Sequence, residues 1–258
     1  MRDQPAITFQ DVSKTFRRPD GSGDFVAVDR LSFEVAPGEI VAVVGKTGCG
    51  KSTMFNLVAG LLEPSGGSVR VLGHDPFREF GYFRGKIGII FQGDRLMPWR
   101  TALGNVLLGL QILDADAGKA HETARAWLAR LGLSADENDY PHALSGGMRQ
   151  RVSIARAFAV EPELLLCDEP FSALDEMTAR DLRAEFIRLV RQNGKTAVFV
   201  THSISEAMEV GERVLVFNRP ARIALESRLA KDSSPGARQQ CHEAILQALA
   251  ADPSADVS

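Results

Sequence analysis

The chain has 258 residues, 45% of them hydrophobic and 24% charged, which is the composition of a folded globular protein and not of a disordered one. A formal net charge of -3 leaves no basic footprint, so no nucleic-acid partner is expected. Cys49, Cys167 and Cys241 are too scattered for a disulfide framework or a zinc site, and neither a signal core nor a run of about 18 apolar residues is present, so a soluble cytosolic protein is expected.

In chain order, FVAVDRLSFEVAPG reads as a hairpin-like opening, followed by the apolar run Ile40, Val41, Ala42, Val43 and Val44. So short a run, rich in β-branched residues, suits a strand buried on both faces of a parallel sheet. Next comes GKTGCGKST (Gly45 to Thr53), and then STMFNLVAGLL, with Phe55, Val58, Ala59 and Leu62 at helical spacing. Strand, glycine loop and helix in that order make G-x-x-x-x-G-K-[ST] a phosphate-binding loop. Gly45, Gly48 and Gly50 let main-chain N–H groups approach phosphate oxygens, and the helix opening at Lys51 adds its unpaired N–H groups and positive dipole end. The Lys51 ammonium is expected on the β and γ phosphates, the Ser52 hydroxyl on Mg²⁺ and Thr53 on the α-phosphate; the loop by itself says only that a nucleotide is bound. Cys49 sits in this electropositive loop, so a reactive thiol is expected there, one whose alkylation blocks ATP binding and which MgATP protects.

Further on, IGIIFQ is another apolar run. Residues 93–160 show no clear strand, while TARAWLARLGL and the segment from Gly146 read as helices. LLLCDEP is a buried-strand run ending in two carboxylates: Asp168 can hold Mg²⁺ through its waters, and Glu169 is placed to polarise a water for attack on the γ-phosphate. Strand and helix then alternate through DLRAEFIRLVRQNG, KTAVFVTH and SISEAMEVGE. After Arg222 comes one helical pattern, ARQQCHEAILQALA, and the polar tail ADPSADVS, expected to be disordered.

Between these elements lies LSGGMRQR, Leu144 to Arg151, a second small-residue loop opening a helix, this time without a lysine. Together with the phosphate loop and Asp168-Glu169 it resembles the ABC transporter ATPase family, whose signature is LSGG followed by Q or M and basic residues. The resemblance covers about residues 5–225. It implies an α/β fold: a RecA-like P-loop NTPase core with an N-terminal antiparallel β subdomain and an inserted helical subdomain. The expected division is 1–91 and 161–225 as nucleotide-binding core, 92–160 as helical subdomain, and 226–258 as C-terminal helix and tail.

For the site, the resemblance implies that Ser145, Gly146 and Gly147 close over the ATP of a second subunit and that Asp175, in Ser172-Ala173-Leu174-Asp175, crosses the dimer interface. Gln92 would touch Mg²⁺ and the attacking water, His202 the γ-phosphate, and Phe16 would stack on adenine. Lys46, Thr47 and Cys49 complete the ATP-binding loop. Two departures stand out: Gln92 is followed by Gly93-Asp94, where many relatives have an acidic residue first, and His202 is followed by Ser203 instead of the commoner aspartate.

RLMPWRTALGNV, with SGGM and THSISEA, resembles the nitrate, taurine and alkanesulfonate importer group; a packed turn at the edge of the helical lobe is the plainer reading of Pro98-Trp99. The implied protein is the ATP-hydrolysing subunit of an importer for a small solute. It would form an ATP-dependent homodimer on the cytoplasmic face of the inner membrane, driving an integral membrane permease and, indirectly, served by an extracytoplasmic solute-binding protein. A non-transport or exporter ABC ATPase is the alternative.

Overall fold

The computed structural model describes residues 4–18, 23–228 and 234–251. In chain order it has β1 (Ile7–Arg17), β2 (Asp24–Val35), β3 (Ile40–Gly45), α1 (Lys51–Val58), β4 (Gly66–Val71), β5 (Ile87–Ile90), α2 (Ala102–Ile112), α3 (Ala117–Arg130), α4 (Gly146–Ala159), β6 (Leu164–Asp168), α5 (Glu176–Gln192), β7 (Thr196–Thr201), α6 (Ile204–Val210), β8 (Arg213–Asn218), β9 (Arg222–Arg228) and α7 (Pro235–Ala250). Apart from Ala251, the expected C-terminal tail lies outside the described residues. The chain divides into two compact units, one formed by residues up to 82 and from 196 onward, the other by residues 83–195.

In the first unit β1 pairs antiparallel with β2 on one side and β4 on the other, and Phe9 stacks on its register partner Phe33 with ring centroids 4.6 Å apart. This is the expected antiparallel β subdomain. β3 runs parallel to both β7 and β8, with Val44 level with Thr201 and Val216. Every residue of β3 and β7 is buried, which is why both are continuous apolar runs and do not alternate. α6 and α7 cover the β3 and β8 side, where Ala42, Val44, Ala207, Met208, Val214, Val216 and Ile245 form one cluster.

Sequence reading passed over β8 and β9. Within β8, VLVF is a short continuous apolar run of the same kind as that of β3, whereas RIALESR in β9 alternates exposed and half-buried residues and pairs antiparallel with β8. Arg213 at the head of β8 is buried and makes two contacts to Glu39, at 2.8 and 3.0 Å, one to Glu226 at 3.1 Å and another to the Glu34 carbonyl. Arg213→Met is expected to lower unfolding free energy by about 3 kcal/mol in a urea titration, because it strands the largely buried Glu39 carboxylate without its cation. A loss near zero would show that Glu39 finds other compensation.

In the second unit β5 and β6 are parallel, with Ile90 level with Cys167. No strand occurs in 93–160, as expected, and α2, α3 and α4 pack on one another. Their core continues into α5 through Trp127 against Phe158 at 5.1 Å and Phe158 edge-on to Phe186 at 6.4 Å. Helix α2 was not foreseen. It starts inside the Pro-Trp stretch, where Thr101 accepts from the Gly104 N–H at 3.1 Å. Fully buried Asn105 accepts from the Met97 N–H at 2.7 Å and donates to the carbonyls of Met97, Arg100 and Thr101. Thr101 and Asn105 are therefore the fasteners of a turn that leaves Trp99 71% exposed.

Candidate functional site

The residues singled out by sequence fall into two groups, one in each unit. In the first, α1 begins at Lys51 as expected, with Gly50 at its N-cap. Gly48 and Gly50 have φ of 77° and 105°, in the region that favours glycine. Gly50 is required twice over, since a Cβ there would lie 2.5 Å from the Ala27 carbonyl oxygen and 2.7 Å from Ala221 Cβ. The Lys51 ammonium donates to the Gly45 carbonyl at 2.5 Å and the Lys46 carbonyl at 3.0 Å, closing the loop from beneath. Lys46, Thr47, Gly48 and Ser52 are exposed, and Thr53 is half-buried.

Among the described residues every other α-helix starts on a side chain that accepts from its own first turn: Thr101, Asp116, Ser145, Asp175, Ser203 and Ser234. Gly50 supplies none. The first-turn N–H groups of α1, its positive dipole end and the Lys51 charge converge without a protein carboxylate or hydroxyl as cap, which is an anion cradle.

Cys49 corrects an expectation. Its side chain turns into the protein, 1% exposed, and Sγ lies 4.0 Å from Lys51 Nζ. A Cβ on Gly45 would sit 2.6 Å from that sulfur, so the thiol fills the space under the loop. The same positive surroundings are present, but a reagent cannot reach the sulfur in this conformation, so fast labelling of an open loop thiol is not what this geometry supports. Cys167 is buried on β6, where burial first and then the Asp168 charge push its thiol well up.

His202 is exposed at the end of β7, beside the loop that follows β3, because Val44 and Thr201 share a register. Its neighbours are tied: buried Thr201 donates to Glu206 at 2.6 Å and accepts from the Ser203 N–H at 3.0 Å, and Ser203 accepts from the Glu206 N–H at 3.3 Å. Ser203 thus does the capping work of an aspartate at the departing position. Half-buried Phe16 stands opposite Phe25 on β2, with Lys14 Nζ 5.2 Å from its ring centroid.

In the second unit, Gln92 and Glu169 each lie two residues beyond the paired positions Ile90 and Cys167, so they leave the same end of adjacent strands. Asp168 ends β6 half-buried. Glu169 has φ 46°, a left-handed conformation costing a non-glycine residue about 1 kcal/mol. Its carbonyl is held by the Ser172 hydroxyl at 3.0 Å and amide at 3.3 Å. Ser145 caps α4, accepting from the Met148 N–H at 3.3 Å. Cβ atoms on Gly147 and Gly146 would lie 2.7 Å from Thr178 Cγ2 and 3.5 Å from Leu174 Cδ2, so the LSGG loop rests on the segment carrying Asp175. Asp175 caps α5, and the Thr178 amide and hydroxyl hold its carboxyl below the usual carboxylate range.

Sequence reasoning missed Ala27 and Ala221, which crowd Gly50, and the pairs that tie Asp94 to Arg149 and Arg156. An acidic residue two after Gln92 and arginines seven apart on one helix are a readable signal only once both segments are known to meet.

A glycine-lined, uncapped helix start after a fully buried parallel strand, with a paired carboxylate terminus on a second parallel strand, defines a P-loop NTPase of RecA-like fold. Residues 28–172 match the ABC transporter family. The chain belongs to that family. An ATP-binding protein of Brucella abortus is 42% identical over 221 residues, 85% of this chain and 81% of the relative. An aliphatic sulfonates import ATP-binding protein of Burkholderia lata is 40% identical over 242 residues, 94% of this chain and 70% of the relative. A solved dimeric ATP-binding cassette in a post-hydrolysis state, bound to ADP and Pi, superposes with a TM-score of 0.75 at 33% identity, over 87% of this chain and 99% of that one.

Proposed function

We propose that this chain is the ATP-hydrolysing subunit of an ABC importer, two copies of which close around two MgATP and drive a separate integral membrane permease. The observation that carries the ATP reading is the uncapped, glycine-lined start of α1 over Lys51. The importer reading rests on family membership and on the sulfonate-import relative, and it takes in the nitrate, taurine and alkanesulfonate group or another small solute. Among the described residues no helix is long and apolar enough to cross a membrane. In this reading the subunit is peripheral, held at the cytoplasmic face by its permease. An extracytoplasmic solute-binding protein would deliver the solute. In the same reading 1–91 and 161–225 are the nucleotide-binding core, 92–160 the helical subdomain and 226–258 the C-terminal segment.

The residues divide the work. Lys51 and the α1 amides hold the β and γ phosphates, Gly45, Lys46, Thr47, Gly48, Cys49, Gly50 and Thr53 line the loop, and Phe16 takes the adenine face. Ser52, Asp168 and Gln92 offer hydroxyl, carboxylate and amide oxygens, a hard donor set that suits Mg²⁺. Bound by these residues, Mg²⁺ would neutralise charge on the phosphates. Glu169 accepts a proton from the attacking water, Gln92 orients that water, and His202 faces the γ-phosphate. Ser145, Gly146, Gly147 and Asp175 act on the ATP of the other copy.

That composite arrangement has a direct test. Lys51→Ala and Ser145→Arg are each expected to be inactive alone, since every site in either homodimer lacks one half. Mixed, they should regain ATPase activity, because each heterodimer holds one site with an intact phosphate loop and an intact signature loop. No recovery in a mixture that demonstrably forms heterodimers, or hydrolysis by monomers independent of concentration, would refute it.

A further inference from the structure

The loop after Gln92 is fastened to α4 by two arginines on one face of that helix. Arg156 donates through Nη1 to the Arg95 carbonyl and through Nη2 to the Asp94 carbonyl, both at 2.8 Å. Arg149 donates through Nε to Asp94 Oδ2 at 2.9 Å and through Nη1 to the Leu144 carbonyl at 2.7 Å. The other Asp94 oxygen accepts from the Leu96 N–H at 3.1 Å, which fixes the carboxylate in the loop. Asp94 is thereby held by its backbone and both side-chain oxygens, and one guanidinium fork spans from it to the residue immediately before Ser145.

Ordinary roles do not account for this. The α4 cap is already supplied by Ser145 itself, so Arg149 is not needed to start the helix. Nor is it a loose surface pair, since Arg149 and Asp94 side chains are 35% and 29% exposed and each makes a further bond. The fork geometry also matters: a planar guanidinium reaches a carboxylate and a carbonyl at fixed separation, which an ammonium does not.

We propose that Arg149 is a positioning residue that couples the two ATP sites of the dimer, tying the segment that follows Gln92 to the signature loop led by Ser145. The proposal rests on the composite-site reading above, in which Gln92 attends the chain's own ATP and Ser145 that of the partner. A shift of the loop after Gln92 is then passed through Asp94 and Arg149 to the Leu144 carbonyl, and Ser145 reaches its working position only when this link is intact. Asp94 is the carboxylate this arginine requires, since Nε donates to its Oδ2 at 2.9 Å.

The test uses the full chain carrying Glu169→Gln, in which ATP is retained, and compares it with the same chain bearing Arg149→Ala, Arg149→Lys, Asp94→Asn or the Ala/Asn double change. ATP affinity is measured on dilute monomer with a fluorescent ATP analogue, and the ATP-dependent dimer dissociation constant by sedimentation. Monomer affinity should stay within about twofold, while dimerisation weakens about tenfold in Arg149→Ala and in Asp94→Asn, and hardly further in the double variant. Arg149→Lys should recover only part of the loss, since it keeps the charge and loses the fork. Dimerisation of Arg149→Ala as strong as the parent's overturns the proposal, as do full recovery by lysine, additive losses in the double variant, or an equal loss of monomer affinity. A parent chain that stays monomeric in ATP overturns the composite-site reading, and the coupling falls with it.

Discussion

Glu169→Gln is expected to lower steady-state ATP turnover about a hundredfold or more while leaving ATP bound, the range of a lost general base. Glutamine has the volume and reach of glutamate and keeps an accepting oxygen, but its amide does not take a proton from water. The backbone at 169 is held in its left-handed turn by Ser172 and is not altered by this exchange. Binding and chemistry therefore separate: the variant should accumulate as an ATP-bound dimer in sedimentation, because hydrolysis is what reopens the pair. Turnover within about threefold of the parent would move the base elsewhere, since general-base loss is larger than that. The strain gives a second, independent readout. Glu169→Gly removes the Cβ that disfavours φ 46°, so it should be inactive and yet no less stable, gaining up to about 1 kcal/mol where the left-handed cost outweighs glycine's added chain entropy. A clearly destabilised glycine variant would show that the side chain is held by contacts that the strain argument leaves out.

Lys51→Ala should fail one step earlier. Its ammonium is the full positive charge at the α1 start, and losing charge-assisted hydrogen bonds to phosphate costs about 3 kcal/mol, on the order of a hundredfold in Kd for ATP. It also frees the carbonyls of Gly45 and Lys46, which now accept from Nζ, so the loop loses the strut that shapes it. Equilibrium titration with a fluorescent ATP analogue, alongside a melting curve, separates the two effects. A Kd within threefold of the parent, with normal melting, would remove Lys51 from phosphate binding. Lys51→Arg is an informative companion: it retains charge, but its larger planar head does not fit between two carbonyls at these distances, so it should bind ATP poorly as well.

The contrast between what a reader of residues could foresee and what needed coordinates follows sequence distance. β3, the phosphate loop and the start of α1 were foreseen, as were β6 with its two carboxylates and the LSGG helix start. Each is a local statement about a continuous apolar run, glycines that open backbone angles, or a cap followed by helical spacing. β8 carried an equally plain apolar signal and was passed over, while β9 alternates too weakly to stand out until β8 is there to pair with it. Helix α2 was hidden for another reason: the Thr101 cap and the Asn105 bonds that begin it close a turn only once the segment has folded.

Side-chain direction was beyond such reading. Cys49 was placed correctly in an anion-attracting loop, but whether its sulfur faces the phosphate or the core depends on the φ of its glycine neighbours and on the room left by Gly45. The family pattern supplied His202, Phe16 and Asp175, and no local rule would have chosen them. Long-range pairings are the extreme case: Arg213 meets Glu39 across 174 positions and Arg149 meets Asp94 across 55. Gly50 shows both kinds of cause at one residue. Its positive φ is written into the loop pattern, whereas its second requirement arises because Ala27 on β2 and Ala221 in the turn between β8 and β9 arrive from elsewhere in the chain and leave no space for a Cβ. Backbone preference acts within a few residues and can be read along the chain, while crowding and charge pairing act through space and exist only once the strands have come together.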